Sequence, residues 1–293
     1  CRLPRRPRCW HRYACSTTGK IRAKVTAPSV RRRRRCYNRR MADMQQDYGR
    51  LLQRGRPASI PPGPLPAGIA AFAVTGTGTL AILVLLPFSS RMPLLAATAT
   101  YLTASGIALA HLPRAHPHRR FGAANVATLL RLGGVAVFAA LAVEPRLLAG
   151  TGGWWALAFA LFLLTLDGLD GWLARRQDLA SAFGARFDME VDALLILALA
   201  LIALAQGMAG PWVLGLGLLR YAFVAAGWLW PRLAAPLPDS LRRKTVCVLQ
   251  VVALTALLAP PMAPPVSGLL AAIAFAALLW SFAIDLRWLL TRP

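Results

Sequence analysis

With 57% of its 293 residues hydrophobic and only 15% charged, the chain is too apolar for an ordinary soluble domain, and its apolar residues come in long runs. Roughly 20 apolar residues in a helix cross a bilayer core about 30 Å thick, so the composition excludes a water-soluble bundle with polar-striped helices and points to an all-α integral membrane protein. The net charge of +23 is local: fifteen of the 34 Lys and Arg fall in residues 1–40, and the rest of the chain sets nineteen bases against eleven acids.

In chain order, the first element is that basic block, which contains "RRRRRCYNRR" and no acid. Such a run could meet anionic lipid or nucleic acid, but it has no apolar stretch of its own and is expected to be a disordered leader, with no nucleic-acid partner. "MADMQQDYGR" at Met41 has the look of a protein start, which would make residues 1–40 an over-extended reading frame. Residues 41–66, with the Pro-rich "ASIPPGPLPAG", form a cytoplasmic linker. Eight apolar segments follow, at about 67–87, 92–112, 125–143, 154–170, 187–206, 211–230, 246–260 and 266–286. The first is weakened by Thr75, Gly76, Thr77, Gly78 and Thr79, and could lie in the interface. The seventh needs Leu241–Cys247 to complete a span. His111, His116 and His118 are expected in one solvated basic loop. Cys1, Cys9, Cys15 and Cys36 sit in the leader without metal-ligand spacing and Cys247 stands alone, so neither disulfides nor zinc are indicated.

The cations orient the spans. Arg114, Arg119, Arg120, Arg175, Arg176, Arg186, Arg232, Arg242, Arg243, Lys244, Arg287 and Arg292 fall on one side, and only Arg91 and Arg146 on the other. Twelve against two predicts a multi-pass inner-membrane protein with both termini and the twelve-cation face in the cytoplasm.

On that face the acids of an acid-poor chain concentrate, in "LDGLDGWLARRQDLASAFGARFDMEVDALL", residues 166–195. Asp167 and Asp170 share a helix face at i and i+3; Asp188 and Asp192 share one at i and i+4 on the next, antiparallel helix. Four carboxylates beside hydrocarbon cannot all stay ionised alone, and a divalent cation resolves the conflict. Oxygen-only ligands suit Mg²⁺ or Mn²⁺, and four carboxylates suit two ions about 3.5–4 Å apart that clamp a phosphoryl group. Gly171, Ala174 and Gly184 leave room for close approach, and Arg175 can neutralise phosphate oxygens.

Asp167, Asp170, Gly171, Ala174, Arg175, Gly184, Asp188 and Asp192 fit D-x-x-D-G-x-x-A-R-x8-G-x3-D-x3-D without a departure, and the chain in this stretch resembles the CDP-alcohol phosphatidyltransferases. "NVATLLR" is similar to the N-x-x-T-x-x-R that opens the family's first core helix, through Asn125, Thr128 and Arg131. The resemblance implies a six-helix catalytic domain over residues 113–290, preceded by two added helices over 67–112, and a homodimer. It further implies transfer of the phosphatidyl group from CDP-diacylglycerol to an alcohol acceptor, with CMP released. By the same likeness Asp167, Asp170, Asp188 and Asp192 hold the metals and Asp192 is the general base. Gly171, Ala174, Arg175, Gly184, Asn125, Thr128 and Arg131 border the CDP-diacylglycerol.

For the acceptor, Arg220 lies mid-helix, where a cation is costly and usually functional. With Arg243 and Lys244 it could bind an acceptor phosphate, which favours glycerol 3-phosphate or inositol phosphate over serine. "RRKTVCVLQ" partly resembles the G-K-x-K-T-x-x-Q of phosphatidylglycerophosphate synthases, lacking its glycine and placing Gln250 two residues late. Anchoring by positive charge is the competing role for Arg242–Lys244. Glu190, outside the motif and rotated away from Asp192, is expected to matter little, and Asp285 to pair with Arg287 or another base. Of the rival classes, a cation transporter would show mid-membrane polar residues in several helices, and a prenyltransferase two distant Asp-rich motifs.

Overall fold

The computed structural model describes residues 65–116, 120–177, 181–230 and 240–291, together with 233, 235 and 237; the side chains of 114 and 169–177 are not among those described. The expected leader and linker therefore lie outside the described residues.

Among the described residues eight α-helices follow one another: α1 (Leu65–Leu85), α2 (Met92–Ala115), α3 (Ala123–Val143), α4 (Thr151–Gln177), α5 (Ala182–Ala205), α6 (Gly215–Leu229), α7 (Leu241–Ala256) and α8 (Val266–Leu290). Short 3₁₀ turns, Pro145–Leu148 and Pro211–Leu214, lead into α4 and α6. Six helical segments are long and apolar enough to cross a membrane: those of α1, α2, α3, α4 and α8, and α6 together with its leading 3₁₀ turn, Pro211–Leu229. Twenty-one residues in α1 rise about 30 Å, the thickness of the hydrocarbon core. Large apolar side chains point outward, with Leu85, Trp155 and Trp228 more than three-quarters exposed, as a lipid-facing surface requires. The protein is thus an all-helical, multi-pass membrane protein.

Of the two exceptions, α5 opens with Arg186, Asp188, Glu190 and Asp192, and α7 has 16 residues and opens with Arg242, Arg243 and Lys244. The charged residues at its start set α5 apart, while α7 is also too short. The seventh apolar segment does begin at Leu241, as its length demanded.

Helix α3 is the hub, packed by α1, α2, α4 and α5, while α5 reaches on to α6 and α7, and α7 packs on α8. Within its spanning window 72% of α3 is buried, against 28% or less for the other five spans, so its side chains meet protein and not lipid. Two glycines permit this. A Cβ on Gly133 would come within 2.5 Å of Thr79 Oγ1, and one on Gly134 would collide with Leu163, so α1 and α4 approach here as only small residues allow.

The polar residues of α1 are accommodated within the helix. Thr75, Thr77 and Thr79 donate back to the carbonyls of Ala71, Ala73 and Thr75, and the Tyr101 hydroxyl crosses from α2 to the Phe72 carbonyl at 2.7 Å. With those groups satisfied, α1 packs as a helix against α2 and α3. At the other end, Glu144 accepts from the Ser89 backbone N–H at 2.9 Å, from the Ser89 hydroxyl and from Arg146, tying the α1–α2 turn to the end of α3. The Ser89 hydroxyl, before the Arg146 charge, holds the Glu144 carboxyl below the usual glutamate range.

The expected solvated histidine loop is not what forms. His111 lies exposed on α2, its Nδ1 on the Ile107 carbonyl, but His116 is 2% exposed, buried against the start of α5. His118 lies outside the described residues.

Candidate active site

Helix α4 carries Asp167 near its end, and Asp170 follows one turn later on the same helix. The side chains of Asp170, Gly171, Ala174 and Arg175 lie outside the described residues, so the second metal-ligand candidate on α4 and its neighbours are placed only by their helix.

The partner helix α5 starts at Ser181, whose hydroxyl caps it by accepting the Gly184 N–H at 3.0 Å. One turn beyond Gly184 comes Asp188, and one turn further Asp192. Carboxylate oxygens of Asp167, Asp188 and Asp192 all lie within 4.8 Å of one another. The same-face pair on α5 and the first acid of α4 therefore converge as their spacing requires. Such a cluster of oxygen donors fits a hard divalent cation of the Mg²⁺ or Mn²⁺ kind.

Beneath the acids lies Arg131. Its side chain is 1% exposed, with Nη1 2.8 Å from Asp167 and 2.5 Å from Asp188, and Nη2 on Asp192. The acids themselves are 31–42% exposed, so they face an opening while the guanidinium is locked under them. Arg131, expected beside the CDP-diacylglycerol, engages three of the metal-ligand candidates. One guanidinium against three carboxylates leaves acid in excess, a demand for further positive charge beside hydrocarbon.

Asn125 and Thr128 lie about two turns and one turn before Arg131 on α3, and both are buried. Asn125 donates to the Phe121 carbonyl and Thr128 to the Ala124 carbonyl at 3.1 Å. A Cβ on Gly184 would come within 2.7 Å of Asn125 Oδ1. Gly184 is small because α3 passes here, a packing demand the sequence alone does not distinguish from room for a ligand.

Beside the cluster opens a cavity of about 590 Å³ between α5, α6, α7 and α8, with Asp192 on its wall and Arg220, Arg243, Lys244, Gln250 and Asp285 around it. All three acceptor candidates of the sequence thus meet in one place with Asp192. Their charges are partly matched: Arg220 reaches Glu190 at 2.7 Å, and Arg243 lies 3.5 Å from Asp285. Asp285 pairs more closely with Arg242, which also donates to Ser281 Oγ at 2.7 Å, so Arg242 is an anchor to α8. Among the described residues no ion pair engages Lys244.

Two site residues escaped the sequence reading. Glu190, expected to matter little, holds Arg220 at the cavity; the mid-helix position of Arg220 asked for a partner, but nothing in the spacing said which. Gln250, noted only as standing two residues late, is buried in the cavity wall and donates to the Leu216 carbonyl at 3.3 Å.

Residues 121–283, from the start of α3 to the last turns of α8, match the CDP-alcohol phosphatidyltransferase family. No solved structure matches the chain. The match spans more than half of the chain, takes in the aspartates, Arg131 and the cavity wall apart from Asp285, and leaves α1 and α2 outside it. The chain belongs to the CDP-alcohol phosphatidyltransferase family.

Proposed function

We propose that the protein transfers the phosphatidyl group of CDP-diacylglycerol to glycerol 3-phosphate, releasing CMP, at the cytoplasmic face of the membrane. The observation that carries this reading is the double membership of Asp192, which belongs both to the carboxylate cluster and to the wall of the cavity that gathers Arg220, Arg243 and Lys244. A hydroxyl held in that cavity by its own phosphate would lie beside the carboxylate that must take its proton.

In the proposed reaction Asp167, Asp170, Asp188 and Asp192 hold two divalent cations. When bound, these ions neutralise the charge that builds on the transferring phosphoryl group and on the departing CMP. The acceptor oxygen forms a bond to the phosphorus that bears the diacylglycerol. The bond from that phosphorus to the CMP oxygen breaks, CMP keeps the electron pair, and the acceptor proton goes to Asp192. Arg175, Gly171 and Ala174, at the end of α4, border the nucleotide and diphosphate. Arg131 keeps the carboxylates of two helices at one place while substrates come and go. Arg220, Arg243 and Lys244 bind the acceptor phosphate, their positive charge favouring a phosphorylated alcohol over a neutral or zwitterionic one.

The test is CMP release from CDP-diacylglycerol by purified protein, with Mg²⁺, Mn²⁺ or EDTA, against glycerol 3-phosphate, inositol phosphate and serine. Divalent-dependent release that needs glycerol 3-phosphate is the expected outcome. Turnover with serine but with neither phosphorylated acceptor would overturn the acceptor assignment, and undiminished turnover in EDTA would overturn the metal assignment.

A further inference from the structure

We infer that α1 and α2, which precede the family's span, are part of the working site: His116, at the end of α2, is a positioning residue that holds the first turns of the aspartate-bearing helix α5 through Ser181. The metal and catalytic roles of those aspartates rest on the proposed function; the mechanical link does not.

The link is a continuous chain of hydrogen bonds. His116 Nε2 lies 2.9 Å from the Arg120 carbonyl oxygen, which can only accept, so Nε2 donates. In that tautomer the Nδ1 lone pair faces the Ser181 hydroxyl, 2.9 Å away, which donates into it. That orients the Ser181 oxygen to accept the Gly184 N–H at 3.0 Å, capping α5. A serine cap is ordinarily free to rotate; here its proton is committed, so its lone pairs point into the helix. Asp188 and Asp192 follow one and two turns beyond Gly184, and the direction of the first turn sets where both carboxylates lie.

Packing runs in parallel with the hydrogen bonds. The His116 ring meets Phe183 edge-on at 5.9 Å, Phe183 stacks on Phe187 at 5.6 Å, and Phe187 contacts Phe72 of α1 at 5.8 Å. Phe72 also meets Phe121, the first residue of the family's span, at 6.0 Å. Phe187 immediately precedes Asp188, so rings from α1 and from the end of α2 clasp the turn of α5 that presents the first carboxylate. Aromatic pairs of this geometry have preferred angles as well as area, and resist rotation of the helix they hold.

The experiment uses the full chain in lipid nanodiscs. His116→Phe keeps the ring against Phe183 and deletes both nitrogens, so the fold is retained while the link is cut. Amide exchange from Gly184 to Asp188 should accelerate about fivefold, the usual scale of a lost helix cap. Mn²⁺ affinity, read by electron paramagnetic resonance, should fall about tenfold, the lower end for outer-shell support of a metal site. His116→Asn, whose side-chain oxygen can replace Nδ1 as the acceptor, should restore both readouts. The double variant His116→Phe/Ser181→Ala should be no worse than Ser181→Ala alone, since both cut one link. Thr77→Ala, on the exposed side of α1 and away from the clasp, should leave both readouts unchanged.

Exchange that stays at the wild-type rate in His116→Phe overturns the inference, as do additive effects in the double variant. Faster exchange in a protein that binds no Mn²⁺ supports the link and sinks the metal reading instead.

Discussion

Replacing Arg131 with Met removes the guanidinium that pairs with Asp167, Asp188 and Asp192 while keeping most of the side-chain volume in the centre of α3. Breaking a fully buried ion pair by deleting one partner costs about 3–5 kcal/mol, because a charge is left uncompensated. Here the arginine is 1% exposed but the acids are 31–42% exposed, so water screens part of the repulsion and roughly half of that cost, about 2 kcal/mol, is the expected loss. For a chain of this size 1 kcal/mol moves the melting temperature by about 2–4 °C, giving a fall of about 4–8 °C. The assay is thermal unfolding in detergent micelles, in EDTA and again at saturating Mn²⁺. A divalent cation that binds the same carboxylates supplies the missing charge, and ligand at a hundred times its Kd stabilises by about 2.7 kcal/mol, so Mn²⁺ should recover most of the loss. If Arg131→Met lowers the melting temperature equally with and without Mn²⁺, the arginine and the metal do not share these carboxylates and the reasoning fails. If it does not lower it at all, the buried guanidinium is not what balances them.

Asp167→Asn and Asp188→Asn should each abolish CMP release and weaken Mn²⁺ binding in titrations, whereas Asp192→Asn should keep more of the affinity yet lose about 10²–10⁴-fold in turnover, the usual worth of a general base. Glu190→Gln frees Arg220 from a partly exposed pair worth about 0.2–1 kcal/mol, so the acceptor KM should change by up to about fivefold while that of CDP-diacylglycerol holds; equal changes in both would make the pair merely structural. Glu144 has its carboxyl held below the ordinary range, so its contribution is present above the unfolded pKa of about 4.3 and is lost as pH falls through the folded value. Thermal melts of wild type should accordingly lose more stability on acidification than those of Glu144→Gln, and parallel curves would refute this. Single cysteines introduced as Gln177→Cys and Ala263→Cys should react with an impermeant maleimide from opposite sides of sealed vesicles, and reaction from the same side would overturn the orientation drawn from the cations.

Much of this molecule was legible in one dimension because its constraints are one-dimensional. A bilayer of fixed thickness demands runs of fixed length, and the eight helices lie where eight apolar runs lie. Asp188 and Asp192 of α5 share a face because four residues make about one turn, whatever surrounds them. An acid-bearing helix end in an acid-poor chain announces chemistry by its cost alone. What spacing does not encode is which helix stands beside which. Arg131 lies 57 residues from Asp188, and only the burial of α3 between α1, α2, α4 and α5 brings it under the carboxylates. Glu190 was set aside for its rotation away from Asp192, and that same rotation points it to Arg220, 30 residues on, across the seam with α6. His116 looked like part of a wet loop since its neighbours in sequence are basic, yet its neighbours in space are Ser181 and Phe183. Local periodicity sets the direction in which a side chain leaves its own helix; the packing of helices far apart in the chain decides what it meets there.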